Sequence, residues 1–150
     1  MDAHAFSVVI RWLHVAAMAV AFGGAGLMAL LSTARPDVRT TELTRVATVY
    51  ERAFWAAAGV LVMTGVGNLG TLGGQLPSRD SEWGVTLLAK LAAVVALMLP
   101  SVPRTLVVVQ LAALGDGGSA RTAPLLARLY LATLGGLIAI SALAVWLSHG

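Results

Sequence analysis

The sequence predicts an all-α integral membrane protein: one domain, residues 1–150, forming an up-down bundle of four transmembrane helices with both termini on the outer side. Three observations predict it. The chain is 58% apolar and only 11% charged, with a mean hydropathy of +0.85, whereas about a quarter of the residues in a soluble domain are charged. Four apolar stretches, at about 7–31, 54–74, 84–103 and 129–148, are each about the length that crosses a bilayer. The arginines are also unevenly shared. Arg35, Arg39, Arg45, Arg52, Arg104, Arg121 and Arg128 lie in or beside the first and last connections, and the middle connection holds only Arg79, offset by Asp80 and Glu82. Arginine-rich loops stay cytoplasmic. Both termini are therefore expected outside, which in a bacterial inner membrane is the periplasm.

Each element has its own signals. The first stretch ends at Ala34-Arg35-Pro36, where proline breaks the helix and arginine marks the interface. It is too long for a signal-peptide core and lacks a basic leader, so it reads as a span. Thr40–Arg52 reads as a short amphipathic lead-in to the second span, which closes at Leu72-Gly73-Gly74-Gln75-Leu76-Pro77. Trp83 and Trp146 read as interfacial anchors of the third and fourth spans. Pro100 and Pro103 are expected to kink or end the third, with Leu106–Leu114 as an interfacial helix beyond them. The glycines Gly23, Gly24, Gly26, Gly59, Gly65, Gly67, Gly70, Gly135 and Gly136 suit close helix packing or clear space for a flat ligand.

Bulk chemistry removes several function classes. A net charge of +3 and pI near 10.2 would suggest nucleic acid in a soluble chain. Here the arginines instead serve orientation and anionic lipid, so the expected partner is the bilayer, with no nucleic acid. A homo-oligomer and a larger membrane complex both stay open. With no cysteine there is no disulfide, thiolate metal site or thiol nucleophile.

Three ionisable residues inside apolar stretches carry the functional question: Arg11, His14 and Lys90, the last being the only lysine of the chain. A charged side chain near the bilayer centre costs about 2.5–3.5 kcal/mol on insertion scales, so each needs a partner, water or a task. At 1.5 Å per residue, His14 and Lys90 both fall roughly 10 Å below the outer boundary. Thr64 and Asn68, on consecutive turns of the second span, and Ser141 of the fourth reach the same half, and Thr86 lies one turn from Lys90. Arg11, His14 and Met18 share one helix face. The inner half offers almost no polar residue, which argues against an ion pathway across the membrane and for a site open to the outer face. For His14 the alternatives are an ordinary buried hydrogen bond and a ligand or proton-carrier role. For Lys90 they are snorkelling and function; Arg11 is expected to snorkel. His4 and His149 lie near the chain ends, and Met18 and Met63 are either apolar filler or thioether donors.

Leu13-His14-Val15 with Phe22-Gly23-Gly24, Tyr50-Glu51-Arg52 leading to Thr64-Gly65, and Trp83 followed by Leu88-Ala89-Lys90-Leu91 together resemble the copper-resistance protein D (CopD) family and the HemJ-type porphyrinogen oxidases. The resemblance covers about residues 8–100. It implies a multi-helix membrane protein with a histidine on its first helix. It associates the chain with copper passage or homeostasis on one branch, and with haem b and porphyrinogen oxidation on the other. The haem branch's histidine and lysine would fall on His14 and Lys90.

Two cofactor readings follow. One haem b would take His14 as axial ligand, with the second position open, filled by neutral Lys90 or supplied by another chain. Lys90 or Arg11 would then pair with a propionate, with Thr64 and Asn68 completing the cofactor-binding set. That arrangement makes a haem-dependent membrane oxidoreductase the possible enzyme class. Copper would instead use His14 with Met18 or Met63, and Lys90 among the candidate metal-site residues, although Lys90 and Arg11, if charged, would repel a cation. A third reading is an accessory subunit without a cofactor.

Overall fold

The computed structural model describes residues 3–34, 40–70, 82–114 and 122–149, with the side chains of residues 3, 34, 40, 66–70, 82, 83, 86, 87, 90 and 147–149 outside the description. Within it the chain forms four helices, α1 (Ala3–Ala34), α2 (Thr40–Gly70), α3 (Glu82–Leu114) and α4 (Thr122–His149). All four are long and apolar enough to cross a membrane, over His4–Thr33, Thr41–Gly65, Leu91–Leu114 and Thr122–Trp146. The chain is a multi-pass membrane protein. Its outward surface agrees: Trp12, Leu99, Met63 and Trp146 are all largely exposed, an arrangement water would penalise and lipid does not.

α1 packs against α2 and α4, and α3 packs against the same two, so α1 and α3 occupy opposite corners of the bundle. The seam on α1 is made of small residues. Ala17, Ala21, Gly24, Ala25 and Met28 recur at three- and four-residue spacing, and the three alanines and Met28 are buried. Small side chains let helices approach closely where lipid supplies no hydrophobic drive. Leu43, Ala47, Tyr50 and Phe54 of α2 meet this seam, and Val108, Leu126, Tyr130 and Leu137 complete the core. Tyr50 reaches across to donate its hydroxyl to the Ala21 carbonyl oxygen at 2.8 Å.

Three features differ from the sequence expectation. The lead-in Thr40–Arg52 and the second span form one helix, because its apolar face, Leu43, Ala47 and Tyr50, continues the core stripe of the span. Residues 71–74, expected in that span, lie outside the described residues. α3 passes through Pro100 and Pro103 without ending, so Leu106–Leu114 is its last part and no separate interfacial helix. Each proline forfeits its own bond to the carbonyl four residues back. Contacts from Arg104 and Thr105 to α2 and α4 hold the segment helical. Of Gly23, Gly24, Gly26, Gly59, Gly65, Gly135 and Gly136, only Gly24 is in tight packing, and Gly67 and Gly70 lie outside the described side chains. A Cβ at Gly24 would fall on the Tyr50 ring, one at Gly136 would touch Leu97 at 3.4 Å, and none of Gly23, Gly26, Gly59, Gly65 or Gly135 has anything within 4 Å of that position.

Candidate functional site

Polar side chains collect in two places. The larger lies deep between α2, α3 and α4 and was not anticipated. Glu51 and Arg104 are 3% and 1% exposed and form the only ion pair among the described residues. Arg104 Nε donates to Glu51 Oε1 at 2.9 Å and Nη2 donates to Oε2 at 3.1 Å, the two-pronged geometry for which guanidinium is suited. Tyr130 donates to Oε1 at 2.9 Å, and the Thr105 hydroxyl donates to Oε2. Each carboxylate oxygen thus accepts two hydrogen bonds. Arg104 Nη1 donates to Thr133 Oγ1 at 2.7 Å, and Thr133 passes its own proton to the Leu129 carbonyl oxygen. Trp55 Nε1 donates to Thr105 Oγ1 at 2.9 Å.

Aromatic faces close the shell. The guanidinium carbon of Arg104 stands 4.3 Å from the Phe54 ring centroid, 5.4 Å from Tyr130 and 5.9 Å from Tyr50. Arg104 therefore does not belong with the loop arginines, and seven less this one leaves six. The polar residues also extend well beyond the level of His14 and Thr64, where the sequence reading gathered them. The network leaves no polar side-chain atom unpartnered, so nothing in it invites a ligand. Its chemistry is that of a clasp that sets the level of α2, α3 and α4 against one another. The signal for it was present: Ser101, Arg104, Thr105 and Val108 share one face of α3 at helical spacing. An acid and a base inside two apolar helices each need a partner.

The second place lies between α1 and α2. His14 Nδ1 and Thr64 Oγ1 are 2.8 Å apart, and Thr64 Oγ1 is 2.8 Å from the Val60 carbonyl oxygen and 3.1 Å from that of Leu61. The hydroxyl has one proton, and a carbonyl oxygen can only accept. When Thr64 donates down its own helix it accepts from His14, and the imidazole proton is then on Nδ1; when it donates to the ring, Nδ1 is the acceptor. In the first arrangement Nε2 is left to face outward, and His14 has no other hydrogen-bond partner among the described residues. His14 is partly exposed, at the rim of the bundle.

Of the other candidates, Arg11 is exposed and Met18, one turn beyond His14 on the same face, is partly buried. Met63 is 76% exposed. With Thr64 turned toward His14, its neighbour Met63 points about 100° away around α2. The side chains of Lys90, Asn68, Thr86 and Trp83 lie outside the described residues. Ser141 Oγ is buried without a partner. Among the described residues no three His, Asp or Glu side chains gather as a metal-binding group. No family model matches the chain, and no curated protein or solved structure matches it.

Proposed function

We propose that this is a haem b-binding protein of CopD/HemJ-like type, in a bacterial inner membrane, with His14 as an axial ligand and a redox or haem-related role. The observation that carries the reading is the Thr64 contact. Histidines that hold metals commonly donate their other ring N–H to a fixed acceptor, which sets the tautomer and aims the free nitrogen. His14 fits that arrangement, with Nδ1 engaged by Thr64 and Nε2 without a partner among the described residues, at the partly exposed rim of an apolar bundle. Bound haem would supply one-electron chemistry. The chain would hold it through His14, with Arg11, one turn away and exposed, placed for a propionate. The second axial position would be open, taken by Lys90 or supplied by another chain.

The up-down arrangement with periplasmic termini belongs to the same proposal. It is supported by the six remaining arginines of the first and last connections and their flanks against Arg79 alone in the middle one. A second reading, Cu(I) held by His14 and Met18, is favoured by Met18 lying partly buried on the His14 face.

The test is an absorption spectrum of the detergent-solubilised protein from haem-sufficient cells, oxidised and then dithionite-reduced. The wild type is expected to show a Soret band with sharpened α and β bands on reduction, and His14→Ala is expected to lose them. Thr64→Val, which leaves Nδ1–H without its acceptor, is expected to keep the bands but weaken haem affinity about 10–100-fold, read by titrating haem into apoprotein. A colourless wild type sinks the haem reading, and copper retained by it but lost in His14→Ala would favour the second.

A further inference from the structure

A groove of about 410 Å³ lies between α2 and α3, lined by residues that take no part in either polar site. Its α2 wall carries Thr41, Thr44, Arg45, Thr48, Val49 and Arg52, and Leu111 and Ala112 of α3 form the other side. Both arginines are exposed, and neither is in an ion pair among the described residues. The nearest acids do not neutralise them. Glu51, beside Arg52, is turned inward and committed to Arg104. Glu42, three residues before Arg45, is exposed and makes no ion pair with it.

Both arginines fall within the stretch Thr41–Gly65 that is apolar enough to cross a membrane. An unpaired guanidinium at the edge of hydrocarbon is expensive and draws an anion to itself. The two lie about 10 Å apart along the helix, with Thr48 between them. Thr48 commits its proton to the Thr44 carbonyl oxygen at 2.9 Å, and the two guanidiniums are the cationic donors facing an anion in this groove. Thr41 and Thr44 line it as well, and its apolar part is Val49, Leu111 and Ala112. A free inorganic anion would gain nothing from that wall, but an acyl chain would. We propose that the groove is a binding site for one anionic phospholipid, its phosphate and headgroup held between Arg45 and Arg52 and an acyl chain laid along Val49, Leu111 and Ala112.

The test is native mass spectrometry of the full chain released from bilayers of phosphatidylcholine mixed with phosphatidylglycerol. The wild type is expected to retain one phosphatidylglycerol per chain. Arg45→Gln with Arg52→Gln should lower that affinity about 30-fold, taking the usual contribution of a basic residue near an anionic surface for each. Arg128→Gln, an exposed arginine outside the groove, should leave retention unchanged. Val49→Trp, which fills the groove with both charges in place, should also abolish retention, so the result does not depend on the fold of the double variant. Equal retention in the double variant overturns the proposal, as does a matching loss in Arg128→Gln. Displacement of the lipid by added inorganic phosphate overturns it too, because the site would then read a free anion.

Discussion

Arg104→Leu is expected to cost the folded chain about 3–5 kcal/mol, the range for removing one partner from a buried ion pair. The loss is large because of what it leaves behind. Glu51 would remain buried with a charge answered only by the Tyr130 and Thr105 hydroxyls, and Thr133 would lose its donor. The measurement is the monodisperse fraction on size exclusion in detergent, followed by a thermal melt. The informative partner is the double replacement Glu51→Leu with Arg104→Met, which removes both charges and restores apolar contact to Phe54. It is expected to melt well above Arg104→Leu, since paired removal of buried charges is often neutral or stabilising. A cycle with the two single variants gives the coupling energy. An Arg104→Leu protein that melts like the wild type would remove the clasp as a determinant of the bundle.

The clasp also shows where the sequence was legible and where it was not. That four helices cross the membrane follows from composition alone, because lipid exposure demands apolar residues on every outward face, and the structure keeps Trp12, Leu99 and Trp146 outward. The ends of the helices were harder. Pro100 and Pro103 are local breakers, and only a tertiary contact overrides them. That contact is Arg104 on Glu51, a pairing 53 residues apart in the chain. Arg104 sits beside the prolines where an interfacial arginine would sit, so its sequence context disguised it. His14 was legible as a residue needing a partner, and Thr64 was within the expected group at the same depth. What the sequence could not say is which ring nitrogen faces the partner. That is set by the orientation of the ring, which puts Nδ1 2.8 Å from Thr64 Oγ1. Met63, by contrast, is a neighbour of Thr64 in sequence and faces outward in space, a distinction set by the rotation of α2 and invisible to a count of thioethers.

Gly24→Ala is expected to be far more damaging than the same methyl at Gly23, Gly26, Gly59, Gly65, Gly135 or Gly136. The new Cβ would fall on Tyr50 Cε2 and Cδ2, closer than any packed carbon tolerates. Relief cannot come cheaply. The ring is held by its hydroxyl on the Ala21 carbonyl oxygen, by an edge contact to Tyr130 at 5.5 Å between centroids and by Phe54 at 6.1 Å. Moving it strains the α1–α2 seam and also the aromatic shell around Arg104. Overpacking of a core typically costs about 1–3 kcal/mol, and the upper end is expected here because the ring belongs to two assemblies at once. Gly23→Ala is the matched control. The same methyl one residue earlier meets nothing within 4 Å, and alanine is the better helix former, so the variant should melt at or slightly above the wild type. Gly24→Ala combined with Tyr50→Val should cost less than the sum of its two single variants, because the methyl would occupy space the ring has vacated. Thermal melts of the four proteins in one detergent decide it: if Gly24→Ala and Gly23→Ala lose the same amount, the close approach of α1 and α2 at Tyr50 is not what holds them together.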